Sequence, residues 1–251
     1  MKKKLIFSAI FGISINLTAQ NLVVSESELL PVFEEDHNLT EIEINHSVGL
    51  GSDMIDDDKS NPDSKASLWP KGIVPVRTDS ESAHDTEFIA NIQNAIYQIS
   101  LKTGIIFVEA DSSDEDFIEF TREKPGCFSK VGRKSGGQKL NIGKSCNRVG
   151  IIMHELFHAL GMRHEQSRSD RDQHVRIFWD NIIPEKKHNF RRIASGRMSD
   201  YDYESIMHYG SFSFSKKGQP TILTIDDEEI KANRSYLTPH DVRGICDLYN
   251  L

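Results

Sequence analysis

The sequence predicts an α+β fold, and two features of its pattern indicate this. Short runs rich in β-branched and aromatic residues are interleaved with two stretches whose apolar residues recur at helical spacing, and a third helical stretch closes the chain. The composition fits a folded protein, because 37% of the 251 residues are hydrophobic and 27% are charged. A chain of this length accommodates one domain of catalytic size plus accessory segments.

The first elements are a short strand and a helix. Ile73–Val76 is predicted to be a strand, and Pro75 favours an edge position because proline donates no hydrogen bond to a ladder. Apolar residues from Phe88 to Ile99 then follow helical spacing, and Gly104 can end that helix.

The remaining elements follow the same signals. Two strands are expected at Ile105–Val108 and Phe117–Phe120, and a glycine-rich loop at 132–137 leads into Leu140–Ile142. A second helix is predicted from about Arg148 to Leu160. The last helix should begin at Thr238, where an N-cap, a proline at the first helical position and an acid at the third stand in order.

Residues 1–20 have the organisation of a signal peptide. Three lysines precede the apolar run Leu5–Leu17, and Ala19 stands near its end. The run is too short to span a membrane comfortably, although a buried N-terminal helix is an alternative. No cysteine follows for a lipid anchor, and no later stretch is apolar enough for a span. We therefore expect a secreted protein without a membrane partner, in a compartment where a disulfide can persist.

Residues 21–59 form an acidic segment that cannot build its own core. Residues 1–59 carry 11 Asp and Glu against 4 Lys and Arg, whereas residues 60–251 carry 27 against 26. The segment is either a disordered tail or a prosegment. The nearly neutral remainder lacks the basic excess of a nucleic-acid binder, so no nucleic-acid partner is expected.

The stretch from His154 to His164 carries the chemistry. His154 and His158 are four residues apart, so a helix aims both imidazoles at one point, and Glu155 lies beside them. His164 is out of helical register, but Gly161 can turn the chain sharply and return it. Three imidazoles with an open fourth position are typical of a catalytic zinc site. The remaining histidines are interpreted as ordinary structural or surface residues: His37, His46, His84, His174, His188, His208 and His240.

This motif resembles that of the metzincin metalloproteases, and its continuation resembles the astacin family in particular. Glu165 follows the third histidine and opens the run Glu165–Asp172, and Ser205–Tyr209 matches the astacin Met-turn. Further matching stretches are Leu68-Trp69 with Gly72–Pro75, Gly126–Ser129 and Val131-Gly132. The resemblance covers roughly residues 60–251, which would be the catalytic domain.

The resemblance implies a fold and a set of roles. The fold would have an N-terminal subdomain with a mixed twisted sheet and two long helices. The C-terminal subdomain would be mostly irregular with a terminal helix, and the active-site cleft would lie between the two. His154, His158 and His164 would bind Zn²⁺, and Glu155 would be the general base. Met207 would lie beneath the metal, and Tyr209 would donate to the oxyanion.

The implied function is a secreted zinc-dependent endopeptidase, made as a zymogen, that acts on protein or peptide substrates. Zinc lowers the pKa of its bound water to about 7, and Glu155 would take the proton from that water. Two alternatives remain. Another metzincin type is disfavoured by Glu165 and Tyr209, and a zinc-containing binding module that has lost catalysis is disfavoured by the intact Glu155 and ligands.

The cysteines depart partly from the family pattern. The resemblance implies a disulfide between Cys127 and Cys146, whereas the family's second disulfide is missing because Gly104 stands at one of its positions. Cys246 lies within the last helix pattern and is predicted to be a buried free thiol.

Latency and specificity have candidate residues. Asp53 could occupy the water position on zinc, as a prosegment aspartate does in the family. An activating protease would cut the Lys59–Ser60 bond, and the freed amino terminus would reach Glu165. Lys216 and Lys217 are candidates for holding an acidic substrate side chain, although their pattern favours solvated surface residues.

Overall fold

The computed structural model describes residues 67–193 and 200–251. The predicted signal peptide, the acidic segment, Asp53 and the Lys59–Ser60 bond lie outside these residues. Among the helices of the two ranges, none has the length and apolar character needed to cross a membrane.

A five-stranded mixed sheet forms the N-terminal half. Its strands are β1 Ile73–Thr78, β2 Ile106–Glu109, β3 Phe117–Thr121, β4 Cys127–Phe128 and β5 Gly137–Ile142. Their order is β2-β1-β3-β5-β4, with β4 antiparallel to β5 and the other neighbours parallel. This confirms the predicted mixed sheet, and β1, β2 and β3 agree with the predicted strands to within two residues. β5 begins at Gly137, three residues before the predicted start at Leu140, and β4 is an additional strand.

The edge position predicted for the first strand is wrong, because β1 lies inside the sheet between β2 and β3. Pro75 is accommodated by the register. It stands opposite Val108 of β2, whereas pairing with β3 begins only at Val76. On the β3 side the missing N–H therefore precedes the ladder, which is why a proline fits in an interior strand here.

Three α-helices accompany the sheet: α1 Thr86–Thr103, α2 Val149–Ala159 and α3 Pro239–Tyr249. Asp85 caps α1 by accepting the Phe88 N–H at 3.0 Å, and Gly104 follows its last residue. Thr238 and Asp241 form a reciprocal capping box at the start of α3. All three helices and their predicted start and stop signals are confirmed.

The main core lies between the sheet and the helices. The apolar face of α1 packs with α2 and the inner face of the sheet, and α3 joins this core through Ile245. The largest fully buried side chains of this core include Trp69, Phe88, Phe107, Phe120 and Phe157. Burial of such rings supplies most of the driving force for folding, at about 25 cal/mol per Å² of apolar surface.

The C-terminal half is mostly irregular, as predicted. Its only sheet among the described residues pairs β6 Val175–Ile177 with β7 Ile222–Thr224 in antiparallel fashion. Short 3₁₀ segments make up much of the rest: Glu165–Ser167, Arg171–Gln173, Trp179–Asn181 and Pro184–Phe190. A second apolar cluster around Phe190, Tyr209 and Phe214 forms its core.

The predicted disulfide is present between Cys127 and Cys146, and it joins β4 to the segment that precedes α2. Cys246 is free, as expected, but it is only half-buried. Its Sγ lies 3.6 Å from the Thr103 carbonyl oxygen, so the thiol packs against the end of α1.

Candidate active site

The first two candidate ligands lie on a fully buried stretch of α2. His154 and His158 are one helical turn apart on the same face, with their ring centroids 4.7 Å apart, and neither is exposed to solvent. Burial of α2 follows from its sequence, because apolar residues occupy nearly every position around the two histidines: Ile152, Met153, Leu156 and Phe157. The helix is held on all sides, so the two rings have little freedom.

The third histidine returns to the same point after a sharp turn. Gly161 has a φ of 108°, a conformation that residues with a side chain rarely adopt. The turn brings His164 Nε2 to 3.2 Å from His158 Nε2 and 3.3 Å from His154 Nε2. The structure therefore brings together the three residues that the sequence nominates as ligands.

This geometry fits zinc. Two nitrogens bound tetrahedrally at about 2.0–2.1 Å from one zinc ion lie about 3.3 Å apart. The observed separations of 3.2 and 3.3 Å between the Nε2 atoms match that value. Among the described residues these three histidines are the one group placed to hold a metal ion.

The electrostatic state of the ligands also suits a metal. Burial lowers the pKa of all three imidazoles, and it lowers the pKa of His158 to about 4. The rings are therefore neutral at physiological pH, and a neutral ring presents the lone pair that coordination requires.

Backbone carbonyls orient the two rings on α2. His154 Nδ1 donates to the Ile206 carbonyl at 2.7 Å, and His158 Nδ1 donates to the Met162 carbonyl at 2.9 Å. With Nδ1 engaged as a donor, Nε2 is the acceptor in each ring and faces the metal position. Such partners fix both the tautomer and the direction of a ligand.

The Met-turn is held between the ligands and the last helix. Met207 is buried, and its carbonyl accepts the N–H of Glu165, the residue after the third histidine, at 3.1 Å. From the other side, Asp241 of α3 accepts the Ser205 hydroxyl at 2.6 Å and the Ile206 N–H at 3.0 Å. Ile206 thus connects Asp241 to the ring of His154.

Arg234 lies half-buried behind the Met-turn. One of its guanidinium nitrogens donates to the carbonyls of Ile206 at 2.7 Å and His208 at 3.1 Å. Burial lowers its pKa to about 10, so it stays charged at neutral pH, and the charge of Glu155 acts to raise that pKa. This cation therefore interacts electrostatically with the Glu155 carboxyl group from behind the Met-turn.

A glycine in α2 allows this close approach. A Cβ at Gly150 would lie 1.7 Å from the carbonyl oxygen of Arg234, a separation that no side chain can tolerate. Only glycine lets the Arg234 segment lie directly against the ligand helix.

Tyr209 packs against the third ligand. Its ring centroid is 4.4 Å from that of His164, and its backbone N–H donates to Gln166 Oε1 at 3.2 Å. Phe190 and Phe214 surround the rest of the ring. The side chain is thus fixed next to the metal position by contacts from the C-terminal half.

Glu165 is a largely buried acid. Its Oε1 accepts from Arg168 Nη1 at 2.8 Å and from the Asp202 N–H at 3.1 Å. Burial raises the pKa of Glu165, and Arg168 acts in the opposite direction. The residue therefore already takes part in an ion pair beside the third ligand.

Sequence reasoning overlooks the residues that hold this site from behind. It identifies Asp241 only as a capping residue, and it does not identify Arg234 and Gln166 at all. Their partners are distant in sequence, and no local pattern indicates them. Lys216 and Lys217 are exposed, so the structure adds nothing to their candidacy for binding substrate.

Three neutral imidazoles converging on one point, next to a buried carboxylate, are the arrangement expected of a mononuclear metal hydrolase. That is the class to which this fold and site assign the chain. Residues 61–250 match the family model described as Astacin, a family of peptidases. The chain therefore belongs to the astacin family of zinc metalloendopeptidases, which confirms the family and enzyme class inferred from the motif.

Several relatives are similar over most of this chain. High choriolytic enzyme 1 of Oryzias latipes is 40% identical over 194 residues, which cover 74% of this chain and 71% of that protein. Meprin A subunit beta of Homo sapiens is 34% identical over 244 residues, 91% of this chain and 34% of its own length. Zinc metalloproteinase nas-15 of Caenorhabditis elegans is 38% identical, and the match covers 72% of this chain but only 32% of that protein.

A solved structure of a zinc protease is also similar to this chain. High choriolytic enzyme 1, a hatching enzyme zinc-protease from Oryzias latipes, superimposes with a TM-score of 0.67 at 40% sequence identity. The match covers 73% of this chain and 92% of that one. This likeness confirms the predicted α+β zinc-protease fold.

Proposed function

We propose that this protein is a secreted endopeptidase that hydrolyses peptide bonds with zinc held by His154, His158 and His164. The observation that carries the proposal is the convergence of the three Nε2 atoms at separations of 3.2 and 3.3 Å. Bound zinc supplies a water molecule with a pKa near 7 and polarises the scissile carbonyl.

Glu155 is the general base of the proposed reaction. It accepts a proton from the attacking water and then delivers it to the leaving amine. Its place beside His154 on α2 supports this role, as does its full burial next to the three histidines. Because Glu155 is not a ligand, its chemistry can be separated from metal binding.

Tyr209 donates a hydrogen bond to the oxyanion as charge develops on the former carbonyl oxygen. The packing of its ring against His164 supports this role. The three histidines hold the metal, and Met207 and Arg234 keep the backbone behind them in place.

The enzyme is made as a zymogen in this proposal. Residues 1–20 direct export, residues 21–59 keep the precursor latent with Asp53 at the metal, and cleavage at Lys59–Ser60 releases activity. The buried position of Glu165 beside His164 supports a role for this acid in receiving the new amino terminus, which carries a positive charge at neutral pH.

The substrates are proteins or peptides. Among the relatives, two are named choriolytic enzymes and one is named a meprin subunit, and the chain spans as little as a third of the length of some of them. These names support a proteolytic activity here and leave the natural substrate to be identified by cleavage-site profiling on a peptide library.

Two substitutions test the mechanism. We expect Glu155→Gln to retain near-stoichiometric zinc and to lose most casein hydrolysis, because it removes the base and keeps the ligands. His158→Ala should lose both zinc and activity. Zinc is measured by elemental analysis on the same preparations that are assayed, and a chelator should abolish the wild-type activity.

Nearly full activity in metal-verified Glu155→Gln would refute the role of Glu155. Zinc without hydrolysis in the wild-type enzyme, after removal of the acidic segment, would instead favour a binding module that has lost catalysis.

A further inference from the structure

An open groove rich in arginine lies on the C-terminal half, apart from the zinc ligands. Its volume is about 680 Å³. Four arginines and one exposed tryptophan are among its lining residues: Arg171, Arg176, Arg191, Arg192 and Trp179. We refer to these five residues as the arginine groove.

Arg171 forms the floor of the groove and pairs there with Asp172, an acid that also lines the groove. Arg171 is almost fully buried, and its Nη1 donates to the carbonyls of Gln166 and Phe190 at 2.9 and 2.8 Å. The guanidinium also lies 6.0 Å from the ring centroid of Trp179. Arg171 therefore builds the groove.

The rim carries positive charge that a ligand can reach. Arg192 and Arg176 pair with Asp172 and Asp227 at 2.9 Å, but both pairs are about half exposed and water-screened. Arg191 is exposed, and among the residues that the structure describes no carboxylate pairs with it. Guanidinium groups bind carboxylates in a two-pronged manner, so this surface fits an acidic peptide.

The groove is connected to the catalytic site. Gln166, whose carbonyl accepts from Arg171, also accepts the N–H of Tyr209 through its side chain at 3.2 Å. Phe190 bonds to Arg171 and packs its ring 5.7 Å from that of Tyr209. An acidic peptide in the groove would therefore lie on the same structural unit that positions Tyr209.

The chain itself contains a matching segment. Residues 21–59 carry eleven acidic side chains and one lysine, and three aspartates stand in a row at Asp56–Asp58, just before the proposed cleavage bond. The domain that follows has almost no net charge, so its attraction for this segment must come from a local cluster of arginines.

The chain between the aspartates and the described structure is short. The described structure begins at Ser67, whose carbonyl accepts the N–H of Arg133, and the neighbouring Gly132 donates to the carbonyl of the ligand His158. Eight residues lie between Asp58 and Ser67, and this stretch reaches about 30 Å when extended.

We propose that Asp56–Asp58 of the precursor dock in the arginine groove until the Lys59–Ser60 bond is cut. The proposal rests on the latency described under the proposed function and specifies where the segment is held. A tethered segment acts at a high effective concentration, so a few exposed ion pairs suffice to keep it in place. Cleavage after Lys59 removes the tether, and the aspartates then dissociate.

Trp179 allows a direct test in the full chain from residue 21, made inactive by Glu155→Gln. Only two tryptophans exist, and Trp69 is buried, so acrylamide quenching reports mainly on Trp179. We expect Trp179 to be shielded at low salt. Asp56→Asn/Asp57→Asn/Asp58→Asn should abolish the shielding without touching the folded domain, and so should Arg191→Gln/Arg192→Gln. The matched control Lys102→Gln/Lys144→Gln, which removes two exposed cations elsewhere, should retain it.

A peptide of residues 54–60 provides the second measurement. Added to the triple-Asn precursor, it should restore the shielding, and Arg191→Gln/Arg192→Gln should weaken its Kd by about tenfold, as expected for the loss of two exposed ion pairs. Raising the salt concentration from about 0.05 to about 0.5 M should weaken peptide binding further, because the Debye length shortens. The shielding of Trp179 should then fall roughly to the background level.

Other outcomes would overturn the docking. Equal quenching in the precursor and the triple-Asn variant would exclude this occupant. Shielding that grows with protein concentration would show that a second copy of the chain occupies the groove. If neutralising Glu34–Asp36 abolishes the shielding and neutralising Asp56–Asp58 does not, the groove binds that other acidic run instead. None of these measurements requires hydrolysis, so an inactive enzyme with intact shielding would refute the proposed function and leave the docking standing.

Discussion

His154 and His158 show how the site is ordered at the scale of single residues. Each ring donates Nδ1–H to a backbone carbonyl. A carbonyl cannot be removed by substituting its side chain, so the tautomer of each ligand is protected from most point changes. The ligands remain sensitive to any change that moves the backbone at Ile206 or Met162.

Tyr209 should contribute to the transition state. We expect Tyr209→Phe to lower kcat by about 10²-fold with a smaller change in KM, because one oxyanion donor is lost while the ring packing against His164 remains. Steady-state kinetics on a peptide substrate measures both constants. A change in KM alone would assign the hydroxyl to substrate binding.

At the scale of elements, α3 supports the Met-turn. Asp241 uses one carboxylate to accept from Ser205, Ile206 and Thr238, so it caps its own helix and anchors the turn behind His154. Burial raises its pKa, and these three donors act in the opposite direction.

Replacing Asp241 should therefore damage two functions at once. We expect Asp241→Asn to lower the free energy of unfolding by about 1–3 kcal/mol, because the amide nitrogen cannot accept one of these bonds. Zinc retention should fall as well, by about 10–100-fold, since the turn orients His154. Chemical denaturation and competition with a zinc chelator measure the two effects.

Asp247→Asn on the exposed face of the same helix is the matched control, and it should change neither quantity appreciably. Normal zinc affinity in Asp241→Asn, at reduced stability, would limit Asp241 to capping.

The elements that could be predicted from sequence are those with local signals. The cap at Thr238 and the stop at Gly104 act within a few residues, so these helix ends could be assigned correctly, whereas the cap at Asp85 emerges only from the structure. The position of β1 inside the sheet could not, because strand order depends on which strands meet after the chain has crossed over. Pro75 favours an edge position because proline lacks an N–H for the ladder. In the structure, pairing with β3 begins only at Val76, so the missing N–H does not interrupt that ladder.

The candidate site likewise contains residues that local sequence patterns predict and residues that they do not. His154, Glu155, His158 and His164 lie within eleven consecutive residues, so helical periodicity and one glycine turn were enough to place them together. Asp241 and Arg234 act on Ile206 across 35 and 28 residues of sequence. Their side chains carry no pattern that indicates such partners.

For the whole molecule, metal and fold are coupled. The three ligands come from α2 and from the turn after it, and they lie where the two apolar clusters meet, since Met207 belongs to one cluster and Tyr209 to the other. Zinc removal should therefore lower the melting temperature. At a zinc concentration of about 1,000 times Kd, binding stabilises the folded state by about 4 kcal/mol.

Differential scanning calorimetry with and without a chelator measures this shift. Glu155→Gln should show the wild-type shift because its ligands are intact, and His158→Ala should show none. An equal melting temperature for the wild-type protein with and without zinc would contradict the coupling.

Maturation is the other property of the whole chain. We expect Lys59→Ala to delay conversion to a form beginning at Ser60, because the Asp-rich run before this bond ends in a single basic residue, which an activating protease could recognise. N-terminal sequencing of the active form identifies the bond. Full activity in a precursor with Asp53 and this bond intact would exclude latency.

The ligand helix is tied at its end to both ends of the folded region. Trp69 Nε1 donates to the Ala159 carbonyl at 2.9 Å, and the Tyr249 hydroxyl donates to the Leu160 carbonyl at 2.9 Å. Two distant side chains thus satisfy carbonyls that the last turn of α2 would otherwise leave to water. For protein engineering, substitutions at Trp69 or Tyr249 should therefore loosen the turn that carries His158, although both residues lie far from the ligands in sequence.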